Sequence, residues 1–273
     1  MNKIILFSAA ALLATTVSGK MIENPDSNTL WVEDGKEMVL SRTYTRPNNA
    51  WYDGALKVQG NPKGGFSVEF TTPKKSSTGY NVLMSKEYPW LVYKINSIEP
   101  TTGYRAFAFY SSMGQQVGNF QPGIFAIQMQ NLPGNQSRKW LEITCYGIKV
   151  KFDYVKMVKT PDNYITVESA PADAKFVTVG DKIRITVHLK EKAEDVSVQF
   201  FTALYMRNLP VNGQEKIQLT PLKGDERVWS AEITVQKVTP GNPKFPIHIK
   251  ATILGGNHPD ALWGRMPYQF KGK

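Results

Sequence analysis

Apolar and polar side chains alternate in short runs along most of this chain. The runs cover Phe66–Phe70 and then 90–95, 105–110, 124–129, 140–144, 148–155, 164–168, 182–189, 196–204, 229–235 and 245–253. A period of two sends successive side chains to opposite faces of an extended backbone. Each run therefore predicts a half-buried strand, and the Gly, Pro, Asn and Asp clusters between runs predict turns. The segment 255–260 reads as a loop before a last short strand at 266–270. Beyond the N-terminus, no run of twelve residues carries a helical period. The pattern predicts an all-β protein of sandwich type.

The N-terminus breaks that pattern. Met1-Asn2-Lys3 is a short positive start, residues 4–17 carry no charge, and Val17-Ser18-Gly19 places small residues where a signal peptidase cuts. Residues 1–19 are expected to be a secretory signal, with a periplasmic or extracellular destination. The apolar stretch is shorter than the ~20 residues of a spanning helix. Residues 20–273 are enough for two domains. The turn-rich segment Val158-Lys159-Thr160-Pro161-Asp162-Asn163 sets the expected boundary, giving domains 20–158 and 159–273. Aromatic usage changes there: twenty Phe, Trp and Tyr precede it, after the signal, and ten lie beyond it.

Charge and cysteine content narrow the possibilities. The formal net charge is +10. The excess is shared evenly, with 16 basic and 11 acidic residues in 20–158 against 16 and 12 in 159–273. No basic run exceeds a pair such as Lys74-Lys75, so a nucleic-acid footprint is not expected. Cys145 is the single cysteine, which rules out a disulfide within the chain. It sits in the alternation Leu141-Glu142-Ile143-Thr144-Cys145 and reads as a strand residue. Stability must then come from apolar cores.

Short motifs carry two resemblances. Trp31-Val32-Glu33-Asp34-Gly35 lies early in the first domain. Trp140-Leu141-Glu142-Ile143 leads through Gly147 into Val150-Lys151-Phe152-Asp153-Tyr154-Val155. With Tyr88-Pro89-Trp90-Leu91-Val92-Tyr93 between them, this resembles the galactose-binding-like jelly roll of many carbohydrate-binding modules. The resemblance implies a jelly-roll β-sandwich and a structural calcium tying the first strand to the last. Glu33 or Asp34, with Asp153, would supply oxygen ligands. The second domain, from Tyr164-Ile165-Thr166-Val167 through Val179-Gly180-Asp181-Lys182 to Trp229–Val235, resembles an immunoglobulin or fibronectin-type sandwich. It lacks the Cys–Trp–Cys signature of true immunoglobulin domains.

The chain holds no nucleophile elbow, zinc-ligand spacing, phosphate loop or dinucleotide fingerprint. His188 and His248 lie in strand-like alternation and are expected to face outward; His258 lies in a loop without a partner at metal spacing. A glycosidase needs two carboxylates across a cleft, and no acidic residue of the first domain sits in a motif that marks such a pair. Aromatic and polar residues make the positive case. A flat ring covers the C–H face of a sugar while amides, carboxylates or guanidinium groups take its hydroxyls. Asn48, Asn49, Trp51, Tyr52 and Asp53 combine both kinds of group, as do Tyr80 with Asn81, and Arg138 with Trp140. Trp90 alternates with Val92 and is expected in the core. The sequence thus points to a secreted, non-catalytic polysaccharide-binding protein, with other cell-surface or carbohydrate-active proteins as further partners; a structural or adhesive surface protein making protein contacts is the alternative, and a glycoside hydrolase or an accessory subunit of one is the third reading.

Overall fold

The computed structural model describes residues 21–34, 56–60, 66–70, 76–100, 106–111, 116–118, 122–146, 148–170, 176–202, 207–239, 247–258, 261–266 and 268–271. They form strands and turns in an all-β sandwich fold, with no helix among the described residues. The first strands are β1 (Ile22–Glu23), β2 (Thr29–Glu33), β3 (Leu56–Gly60), β4 (Phe66–Phe70), β5 (Ser76–Met84), β6 (Trp90–Pro100) and β7 (Ala106–Ser111). Next come β8 (Gln116–Gly118), β9 (Gly123–Gln128), β10 (Ser137–Tyr146), β11 (Ile148–Val158), β12 (Tyr164–Ala170), β13 (Phe176–Val177) and β14 (Lys182–His188). The last are β15 (Asp195–Thr202), β16 (Ile217–Gln218), β17 (Thr220–Leu222), β18 (Asp225–Thr234), β19 (Ile247–Leu254), β20 (Ala261–Arg265) and β21 (Gln269–Phe270).

One eleven-stranded sheet has the order β1-β2-β11-β6-β9-β20-β19-β15-β16, with β4 also paired to β11 and β3 to β4. Two four-stranded sheets, β5-β10-β7-β8 and β12-β14-β18-β17, and a parallel pair, β13 with β21, make up the rest. Alternation decides which face each one covers. Phe125 registers with Trp263 and Ile124 with Leu262 across the parallel β9–β20 pair. Tyr93, Ile95, Phe125, Ile127, Val155 and Met157 form the first core with Val82, Met84 and Leu141 of β5 and β10. On β20, β19 and β15 the opposite set points the other way. Leu262, Ile249, Ala251, Val198 and Phe200 form the second core with Ile165, Val167, Ile183, Ile185 and Val187 of β12 and β14. The two cores therefore lie on opposite faces of one continuous sheet.

The junction between them has its own packing. Trp90, Val92, Ala126 and Val158 are buried together, with Tyr154 and Tyr164 against them. Trp90, expected in a core, is 9% exposed. Trp90 and Tyr164 lie 4.9 Å apart, centroid to centroid, and Tyr164 stacks on His188 at 4.4 Å. Gly123 opens β9 at φ +146°, a conformation side-chain-bearing residues rarely take, and a β-carbon there would lie 2.5 Å from Cδ1 of Trp263. A glycine is what lets the Trp263 indole lie against the start of β9.

Two expectations need correction. The chain after the 255–258 turn does not wait until residue 266 to extend: β20 begins at Ala261, and among the described residues of the expected last strand Gln269–Phe270 is the part that forms one. Gly264 sits in this short run, its α-carbon close to Ile165, and it hid the alternation. His248 does not face solvent; its exposure is 0%. It lies opposite Arg265 and Phe201 on the face turned away from the second core. Phe201 and Trp263 on that face pack into the first core, so both faces of β19 are covered here. Neither ring nitrogen of His248 has a hydrogen-bond partner among the described residues. Burial, reinforced by the Arg265 charge, pushes its pKa down to about 3.

Candidate functional site

The residues singled out by sequence fall into three groups. Asn48, Asn49, Trp51, Tyr52 and Asp53 lie outside the described residues. Tyr80 takes the register position opposite Leu141, and Trp140 that opposite Asn81, in the β5–β10 pair. Trp140 is half-buried. Arg138, two residues earlier on the same face of β10, pairs with Glu23 at 2.8 Å and donates to the Asn81 carbonyl at 3.1 Å. Arg138, Trp140 and Asn81 are thus brought together on one strand pair.

The calcium expectation concerns Glu33, Asp34 and Asp153. β2 does pair with β11, with Glu33 opposite Val155. The Asp153 carboxylate takes the Lys94 ammonium at 2.8 Å, and Glu33 is 8% exposed. Among the described residues no three His, Cys, Asp or Glu side chains gather to hold a metal ion.

The junction supplies a different candidate. β9 and β20 keep register for two residue pairs, Leu262 with Ile124 and Trp263 with Phe125. Beyond them the strands diverge. β9 stays beside β6, with Met129 N–H bonded to the Pro89 carbonyl, while Met266 N–H bonds the Ile247 carbonyl. The wedge between them, walled by β12, is a cleft of about 520 Å³. Trp90, Ala126, Ile127, Met129, Ile165, Val167 and Tyr268 are among the residues that line it. Gln128, Gln130, Thr166, Glu168 and Arg265 are its polar lining residues.

Local structure sets these groups. Pro89 and Met129 form the hydrogen-bonded pair of the ladder, so the next pair, Trp90 and Gln128, is a non-hydrogen-bonded one. The backbone N–H and C=O of Gln128 therefore point away from β6, toward the gap. Tyr164 packs on Trp90 and fixes its ring. Tyr268 is half-buried, while Gln128, Gln130 and Glu168 are exposed. Arg265 is half-buried, and desolvation lowers its pKa from the ordinary arginine value; arginine remains a cation at any working pH. Sequence reasoning takes Trp90 as core only and misses the rest. Trp90 and Tyr268 are far apart in the chain, and no local motif joins them.

No family model matches the chain, and no curated protein matches it by sequence. Several solved structures are similar in arrangement. A DUF4785 family protein of Legionella pneumophila is 12% identical, with 86% of this chain and 69% of that one covered and a TM-score of 0.27. The glycoside hydrolase domain of Endo-D from Streptococcus pneumoniae is 7% identical over 80% of this chain and 36% of that one, TM-score 0.29. A β-glucuronidase of Bifidobacterium dentium is 11% identical over 85% and 42%, TM-score 0.27. The chain thus spans under half the length of the last two. All three TM-scores lie far below 0.5, and the names of these proteins say nothing about what this chain binds.

Proposed function

We propose that this chain is an exported, non-catalytic glycan-binding protein, with a jelly-roll module and an immunoglobulin-like module joined through the shared sheet. The observation that carries the reading is the junction cleft, whose lining includes Trp90 and Tyr268 together with Gln128, Gln130, Thr166, Glu168 and Arg265. Sugars need that pairing, because rings cover their C–H faces and polar groups take their hydroxyls. The cleft volume of about 520 Å³ falls in the range of ligand sites. The N-terminal pattern Met1 to Gly19 favours export.

The test is retention of residues 20–273 on insoluble polysaccharides and on a glycan array, followed by titration of the best ligand. Tyr268→Ala and the double variant Gln128→Ala/Gln130→Ala are expected to weaken binding by roughly 1–3 kcal/mol, the scale of losing an anchor residue, with the melting temperature little changed. Trp51→Ala runs alongside. If it alone abolishes binding, the glycan reading stands and the site moves to the segment containing Asn48 to Asp53. A protein that retains no glycan overturns the reading and leaves the adhesive alternative.

A further inference from the structure

We infer that the junction cleft selects N-acetylated sugars, and that main-chain groups of β9 and β12 read the acetamido group. The inference rests on the reading of the cleft as a glycan site and adds the class of glycan. Successive side chains on a strand point to opposite faces. Yet Ile165, Thr166, Val167 and Glu168 line the cleft in one unbroken run, and residues 126–130 do so in another. Every residue of such a run shares only the edge of its strand. The cleft is therefore a slot between two strand edges, and its walls include main chain.

The ladders fix which way each main-chain group points. Gln128 forms a non-hydrogen-bonded pair with Trp90, so its N–H and C=O turn away from β6. The register of β9 with β20 has already ended at Phe125. On the other wall, the Leu189 N–H donates to the Arg227 carbonyl and the Val235 N–H to the Asp181 carbonyl. The odd-numbered residues of β14 thus bond to β18, which leaves the even-numbered ones to bond β12. Tyr164, Thr166 and Glu168 stand opposite even-numbered partners and are the bonded positions of β12. Ile165 and Val167 are left with N–H and C=O directed out of the sheet edge, where no strand pairs among the described residues. Each wall offers donors and acceptors whose positions are set by a ladder rather than by a loop. A planar trans amide carries one donor and one acceptor pointing opposite ways, which is what a strand edge pairs with. A hydroxyl, an amine or an ester lacks that combination.

The experiment titrates residues 20–273 with β-1,4-linked oligomers of equal length built from glucose, 2-O-acetylglucose, glucosamine and N-acetylglucosamine, and scores the same contrasts on every backbone of a glycan array. The expected result is about tenfold or tighter binding of the acetamido form over the other three, the scale of one to two hydrogen bonds. The ester keeps the carbonyl and loses only the N–H, so it tests the donor on the unaltered protein. Gln128→Pro removes an outward N–H without removing a bond to β6. It should lower the acetamido preference several-fold, while Gln128→Ala keeps the ratio. Because the proline could distort β9, the ligand series decides if that variant melts early. Equal or weaker binding of the acetamido form on a backbone the protein retains overturns this inference alone, and so does an ester that binds as tightly as the amide. Absence of binding to every glycan overturns the underlying site reading as well; retention of an extended, unglycosylated peptide in that case assigns the slot to a polypeptide strand.

Discussion

The two halves of the long sheet are closed in different ways. The first core sets six buried rings, Trp31, Tyr88, Tyr93, Phe125, Phe152 and Trp263, among aliphatic and methionine side chains. Tyr93 and Phe125 stack at 4.7 Å and 5°, Phe152 meets Tyr93 edge-on at 6.4 Å, and Trp263 lies 6.0 Å from Phe125. The second is mostly Val, Ile and Leu, with Phe200 and Phe270 as its ring pair. Branched aliphatics pack well on a pleated surface from strands close in sequence. The second core accordingly draws on residues 165–270 with only Ile124 from outside, partly buried against it. Large rings fill large gaps, and one of the first core's rings, Trp263, comes from the far end of the chain. The first core thus takes one ring from a strand distant in sequence, while the buried residues of the second lie within 165–270.

That contrast breaks most sharply at Trp263. It is 1% exposed, and Trp263→Ala should cost about 3–5 kcal/mol. Hydrogen exchange should show β6 and β9 losing protection along with β20, although the change lies in the second half. Loss confined to β19 and β20 would show that the halves are not coupled through the ring. Gly123→Ala attacks the same contact from the other side. A 2.5 Å approach to the indole and a φ of +146° should together cost about 3 kcal/mol. Chemical denaturation checks it, and an unchanged midpoint would mean the indole swings away freely.

Acid provides a third, smaller effect. The folded pKa of His248, about 3, is depressed below the ordinary value near 6.5, so the fold favours the neutral ring. As pH falls below about 6.5 the unfolded chain takes a proton that the folded chain refuses. Stability is then lost at about 1.4 kcal/mol per unit, or ~2 kcal/mol by pH 5. Denaturation curves at pH 7 and 5 should show this for the native chain and a flatter dependence for His248→Leu. Equal slopes would place an unseen partner on the ring. The smallest effect belongs to the outer face of the second sandwich. Arg184→Ala removes the exposed pair to Glu232 at 2.8 Å, and the melting temperature should not shift measurably, because such pairs are offset by hydration and screened by salt.

The alternation of apolar and polar residues was enough to predict β4 to its ends and most of β6, β9, β11, β14 and β19 to within a few residues at the termini where they form, because a strand needs only its own period of two. It also placed Trp90 in a core. It could not place β20, a five-residue run interrupted by Gly264, because that strand is specified by what it packs against: the indole on Gly123 and the Ile165 side chain on Gly264. His248 was misread for the same reason. Alternation says which residues share a face; only the tertiary structure decides whether the far face meets water or another core. The cleft has the same origin. Trp90, Gln128, Arg265 and Tyr268 come together because two parallel strands part after two residue pairs, and the place where strands part is a property of the packed sheet that no local stretch of sequence encodes.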